Sequence, residues 1–155
     1  MVQEVRHHSI DAVITWVDGL DPVHLQKRQI FMGSAPHLFH ENATNPHRWA
    51  CNGEIYLCLA SLEHNAPWLR KIWIIVDEQS PDLSRLSAAL CAKINLVDHS
   101  DIFANHGAAL PTFNSLSIET FLWNIQGLSD RFIYFNDDVF LTAPCQKSDF
   151  FSPSG

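Results

Sequence analysis

Four short runs of β-branched and aromatic residues, each ending at a polar, mostly acidic stretch, constrain this chain more than anything else in it. They are Ala12-Val13-Ile14-Thr15-Trp16-Val17, Ile72-Trp73-Ile74-Ile75-Val76, Ile94-Asn95-Leu96-Val97 and Phe132-Ile133-Tyr134-Phe135. Nearly continuous apolar runs of this length read as strands buried on both faces of a parallel sheet, because a half-solvated strand would alternate. Helical spacing fills the intervals: Ile55, Cys58, Leu59 and Leu62 recur at i, i+3, i+4, i+7, as do Ile118, Phe121, Leu122 and Ile125. Ser80-Pro81 ahead of Leu83, Leu86 and Leu90 reads as an N-cap, a first-turn proline and a short amphipathic helix. A further helix is expected over about 23–31. The prediction is one α/β domain over residues 1–155, Rossmann-like, with a mostly parallel sheet, helices on both faces and right-handed crossovers. Residues 1–10 are expected to be disordered and 33–46 to form a long surface loop.

Composition narrows the partners. Across 155 residues, 46% are apolar and 17% charged, which excludes disorder and coiled coil as descriptions of the whole. Ten Lys and Arg against 17 Asp and Glu give a formal charge of −7, a field that repels nucleic acid and anionic membrane surfaces. Any phosphorylated substrate would be repelled too, unless a cation intervened. There is no signal-peptide pattern at the start and no run long enough to span a bilayer. Cys51, Cys58, Cys91 and Cys145 lack C-x-x-C spacing and read as free thiols of a reducing compartment. The sequon Asn42-Ala43-Thr44 matters only in a secreted chain. The expected location is cytoplasmic.

The acids have a pattern. Val17 is followed by Asp18 and then Asp21, Val76 by Asp77, Val97 by Asp98, and Phe135 by Asn136-Asp137-Asp138. The carboxyl ends of parallel strands share one edge, and ligands bind in the crevice beyond it. Asp77 and Asp98 read first as ordinary loop starts. Asp137 and Asp138 are harder to dismiss, since two adjacent carboxylates after an apolar strand repel each other and lose solvation. A bound Mg²⁺ or Mn²⁺ offsets that cost and leaves coordination sites for substrate phosphates. At the end of the first run, Trp16 could face a base or sugar, Gly19 permits close backbone approach, and Asp18 and Asp21 could bond ribose hydroxyls. A core role for Trp16 is the competing reading. G-x-G-x-x-G, the P-loop, the G-x-S-x-G elbow and H-E-x-x-H are all missing. Of nine histidines, His99 stands nearest the expected edge.

These residues resemble a known family. Asp11 through Asp21 is similar to the first conserved block of the Stealth proteins, sugar-1-phosphate transferases that include bacterial capsule polymerases and a lysosomal-enzyme N-acetylglucosamine-1-phosphotransferase. Arg48 through Leu141 resembles the second block, with landmarks at Asn52-Gly53-Glu54, at 64–72, at His99-Ser100-Asp101-Ile102-Phe103, at 110–115, at Ile118-Glu119, at 127–129 and at 132–140. The resemblance implies a domain like the type-A glycosyltransferase fold, taking a nucleotide-sugar donor and a glycan acceptor. It implies nucleotide and metal roles for Asp18, Asp137 and Asp138, and pocket positions for Arg48, Asn52, His99, Asp101, Asn114 and Glu119. Cys51 stands where many members carry Asp, and Phe121, Trp123 and Asn124 where some carry histidines and Arg.

The reaction so implied is metal-assisted transfer of a sugar-1-phosphate to an acceptor hydroxyl. Asp18, Asp101 and His99 are the candidate bases, and Arg48 a candidate phosphate clamp. Two other readings stay open: an ordinary metal-dependent glycosyltransferase, and a short, non-catalytic nucleotide-sugar-binding relative lacking the family's downstream blocks. The lack of a signal or anchor fits a cytoplasmic enzyme acting at the inner face of the plasma membrane, with peripheral membrane association.

Overall fold

The computed structural model describes residues 9–34 and 49–152. Its centre is a four-stranded sheet of β1 (Ile10–Thr15), β2 (Ile72–Val76), β3 (Ile94–Asp98) and β4 (Arg131–Asn136). The order is β3-β2-β1-β4 and every pairing is parallel. The α/β expectation therefore holds. Ile10 opens β1, although residues 1–10 were expected to be disordered; residues 1–8 lie outside the described residues. Strand β1 also ends two residues short of the apolar run. Trp16 adds one backbone bond to Ile75 O at 3.0 Å, but the strand pairing stops at Thr15.

Alternation sorts the side chains onto two faces. Ile10, Ala12 and Ile14 of β1 and Ile72, Ile74 and Val76 of β2 pack against Ile55, Cys58, Leu59 and Leu62, the predicted stripe of α2 (Glu54–Asn65). Val13, Trp73, Ile75 and Val97 point the other way. There they meet α4 (His99–Ile102), α5 (Ser115–Glu119) and the chain that follows, through Ile102, Phe103, Ile118, Leu122 and Ile125. Each such side chain fully buried contributes about 1.5–3 kcal/mol.

Two helices are shorter than their periodicity suggests. The stripe from Ile118 to Ile125 breaks after Glu119, where Thr120 Oγ1 donates back to Ser117 O at 2.8 Å. Backbone bonding then tightens to a 3₁₀ turn at Leu122–Asn124, which still buries Leu122. The segment after Ser80-Pro81 is divided as well, and Ser80 is not the cap. Asp82 caps a 3₁₀ turn at Leu83–Arg85, and Ser87 caps α3 (Ala88–Cys91), so side-chain acceptors inside the run split it.

Helix α1 (Pro22–Ser34) is longer than expected and buries only His24. Aromatic and ionic contacts hold it in place of an apolar stripe. The expected loop over 33–46 falls mostly outside the described residues, as does Arg48. Among the described residues no helix is long and apolar enough to cross a membrane. All four cysteines are free, as expected.

Candidate active site

Strands β1, β2 and β3 step across the sheet in one direction, and β4 then returns to the opposite side of β1. Their connections lie on opposite faces, which makes the carboxyl ends of β1 and β4 the topological switch point, the place where the ligand crevice of an open α/β sheet lies. Thr15 pairs with Asn136 at this point.

The β4 side is acidic and half-buried. Asp137 is pushed up to about 6, first by burial and then by the neighbouring charges of Asp138 and Glu54. Glu54 opens α2, whose N-cap is Gly53 at φ 84° with no side-chain cap. Its carboxylate also accepts from Asn52 N at 2.7 Å and from Asn52 Nδ2 at 2.8 Å, which accounts for Asn52. The same acids reach inward, since burial and then Asp137 and Asp138 push the Cys58 thiol up to about 12. On the other flank, Tyr134 Oη shares a hydrogen bond with Thr15 Oγ1 at 2.8 Å and donates to Asn136 Oδ1 at 2.9 Å. Burial raises the phenol, and the Glu119 carboxylate adds to the effect, which brings the end of α5 into the crevice.

A second group gathers at the ends of β2 and β3. Asp77 accepts from His24 Nδ1 at 2.9 Å and from Lys27 Nζ at 3.0 Å. The His24 bond, then Lys27, hold the Asp77 carboxyl down at about 2. Lys27 also pairs with Glu78 at 2.7 Å. His99 is 4% exposed, and burial lowers its pKa despite Asp77 and Asp98, leaving a neutral imidazole at pH 7. Asp98 and Asp101 form a capping box on α4.

The expected single acidic rim is thus two clusters, separated by the width of β1, about 10 Å from β2 to β4. Asp137, Asp138 and Glu119 fall in the first and His99 in the second. Asp18 lies above β1, its backbone clamped by Gln79, which accepts from Asp18 N at 2.6 Å and donates to Asp18 O at 3.2 Å. Its carboxylate turns back to Leu20 N at 2.9 Å.

Several candidates have local structural work. Asp21 Oδ1 caps α1, accepting from Val23 N and His24 N at 2.9 Å each. Asn114 caps α5 through Leu116 N at 3.1 Å. Asp101 accepts from Asp98 N at 3.1 Å. A Cβ on Gly19 would lie 2.3 Å from Trp49 O, so the close approach this glycine permits is to the chain's own backbone. Trp16 is 8% exposed and packs in the core beside α2, yet its Nε1 has no partner among the described residues.

Sequence reasoning missed Glu54 and His24 as site residues, and Thr15 and Tyr134 as its floor. For Glu54 a signal existed: a glycine before an apolar helical stripe marks a helix start, and antiparallel packing on β1 puts that start at the carboxyl edge.

Among the described residues no group of three or more His, Cys, Asp or Glu side chains is arranged to hold a metal ion. Asp137 and Asp138 are nevertheless hard oxygen donors, Asp137 half-buried and Asp138 exposed beside it, each repelling the other. That suits a cation bound by one or two carboxylates and completed by substrate phosphates, not one caged by protein alone.

The description "Stealth protein CR1, conserved region 1" matches residues 8–35, and "Stealth protein CR2, conserved region 2" matches 48–155. An exopolysaccharide phosphotransferase of Streptomyces coelicolor is 42% identical over 94% of this chain and 24% of its own length. Capsular polysaccharide phosphotransferases of Neisseria meningitidis and Streptococcus pneumoniae are 40% and 37% identical, over 94% and 96% of this chain and 38% and 43% of theirs. The chain thus spans about a quarter to two fifths of the length of these curated relatives. With both conserved regions present and in order, the chain belongs to the Stealth family.

Proposed function

We propose that this chain carries the donor-binding site of a phosphotransferase. It would move a sugar-1-phosphate from a nucleotide diphosphosugar to a hydroxyl of a glycan acceptor, in capsular or exopolysaccharide synthesis at the inner face of the plasma membrane. The observation that carries the reading is the half-buried acidic cluster at the β1/β4 switch point, with Asp137 pushed up to about 6. Such a cluster is unfavourable alone and becomes favourable when a cation and a diphosphate complete it. The names of the relatives supply the reaction class.

In this reading Asp137 and Asp138 hold Mg²⁺ or Mn²⁺, which when bound neutralises charge on the donor diphosphate. The acceptor oxygen forms a bond to the β-phosphorus. The bond from that phosphorus to the bridging oxygen breaks, and nucleoside monophosphate leaves. The hydroxyl proton goes to a base, for which Asp18, Asp101 and His99 are the candidates; Asp101 already accepts from the Asp98 backbone, and His99 is 4% exposed in the cluster across β1 from Asp137. Tyr134 and Thr15 hold the floor of the crevice. Asp18, its backbone fixed by Gln79, is left to position donor hydroxyls.

Donor carrying radiolabel in its β-phosphate tests the proposal. Transfer of label to the acceptor, with unlabelled nucleoside monophosphate released, is expected. Label retained on released nucleoside diphosphate would mean that the sugar–phosphate bond breaks, and would replace this reading with that of an ordinary glycosyltransferase.

A further inference from the structure

Trp16 Nε1, His24 Nε2 and Arg28 Nη1 are buried and have no hydrogen-bond partner among the described residues. Two of the three, on His24 and Arg28, stand one turn apart on α1, at the i and i+4 positions that bring side chains together. Leaving a buried donor unmatched costs about 1–3 kcal/mol, and more when the group is charged. Two such groups side by side point to a missing partner.

Neither side chain is loose. His24 is 3% exposed and its Nδ1–H is held by Asp77 Oδ2 at 2.9 Å, so Nε2 faces away from that carboxylate. The Arg28 guanidinium lies 4.1 Å from the centre of the Trp49 ring. The His24 ring sits 6.1 Å from the same indole and 5.5 Å from Phe113. The Trp49 backbone in turn rests on Gly19, in the loop above β1. The adjacent Lys27 is neutralised by Asp77 and Glu78, whereas no ion pair involves Arg28 among the described residues. Burial lowers the Arg28 pKa with no carboxylate opposing it, as expected of a cation desolvated without a counter-charge. Among the described residues nothing supplies the anion that would complete it.

We propose that Arg28, seated flat on Trp49, donates to a phosphate oxygen of the diphosphate donor, and that the His24 ring, carrying a proton on both nitrogens when that phosphate is bound, donates from Nε2–H as the second contact to the same group. A guanidinium suits this task because its planar N–H groups match phosphate oxygens and stay charged when partly buried. The inference deepens the phosphotransferase reading and rests on it. It also supplies a cationic element, besides a metal, to a rim whose net charge is negative.

Calorimetric titration of inorganic pyrophosphate in EDTA removes any metal contribution. Arg28→Met keeps the apolar stem over Trp49 and removes the charge. His24→Asn keeps a donor toward Asp77 and removes Nε2. Arg28→Met is expected to weaken pyrophosphate binding about 10-fold or more, and His24→Asn several-fold, with Arg28→Lys intermediate. The ligand-free thermal midpoint of Arg28→Met should equal or exceed that of the unmodified protein. No binding to the unmodified protein, or equal affinities throughout, as when a buried water satisfies both nitrogens, would overturn the inference. So would a lowered midpoint in both Arg28 variants with affinity unchanged, which marks a purely structural arginine. Arg28-dependent pyrophosphate binding without transfer of β-label would sink the activity reading alone. Label transfer with equal affinities would sink this inference alone.

Discussion

At the scale of single residues, three acids show opposite uses of the same side chain. Asp11 is 0% exposed and fully matched, by Arg70 at 2.8 and 2.6 Å, by Trp73 Nε1 at 2.9 Å and by Ser129 N at 3.0 Å. Arg70→Met leaves that carboxylate buried without its counter-charge, and denaturant titration should show a loss of about 3–5 kcal/mol. Asp77 is also stabilising. Its carboxyl is held at about 2, so its contribution is present above the unfolded value near 4 and fades as pH falls toward 2. Asp137 has the reverse sign. Held up at about 6, it binds more protons folded than unfolded between about pH 4 and 6, so its ionisation destabilises the fold as pH rises through that window. Asp137→Asn should therefore raise stability at pH 7 in EDTA by about 1 kcal/mol, a figure kept low because solvent screens this half-exposed group. The gain should vanish below pH 4 in thermal melts. A loss at pH 7 would mean that the carboxylate is structurally matched and not a vacant ligand position.

At the scale of elements, the loop from Trp16 to α1 is the joint on which the site depends. Asp21→Ala removes the α1 cap and should cost about 0.5–2 kcal/mol. Gly19→Ala should cost more than that cap, because the added Cβ would collide with backbone, not with a side chain that can turn away. Urea midpoints of the two variants check the order. This joint also marks the limit of what the sequence reveals. Strands β2, β3 and β4 were legible within one residue at each end, since continuous apolar runs have one reading. The stripe of α2 was legible for the same reason. Helix α1 was not legible in this way, because charge pairs and ring contacts around His24, Lys27 and Arg28 place it, and those partners lie some 20 to 90 residues away in sequence. The breaks after Glu119 and before Ser87 come from single Thr, Asp and Ser side chains bonding to backbone, a local competition that periodicity does not register.

At the scale of the whole molecule, the strand order converts a list of acids into a site. Sequence placed Asp18, Asp77, Asp98 and Asp137-Asp138 at strand ends, but only the return of β4 to the far side of β1 separates them. Asp77 and Asp98 fall on the β2/β3 side, paired with cations or helix starts, as the plain reading of loop acids held. Asp137, Asp138 and Glu54 fall at the switch point and repel one another. The −7 charge of the chain is thus not spread evenly: part of it is concentrated where a cation and a diphosphate would relieve it. The direct test is calorimetric titration of nucleotide diphosphosugars into the protein and its Asp137→Asn variant, with Mg²⁺ and with EDTA. The account predicts tighter donor binding in Mg²⁺ than in EDTA, with the variant weakened about 10-fold or more in Mg²⁺ and little changed in EDTA. Equal weakening in both conditions, or no dependence on Mg²⁺ at all, would contradict it.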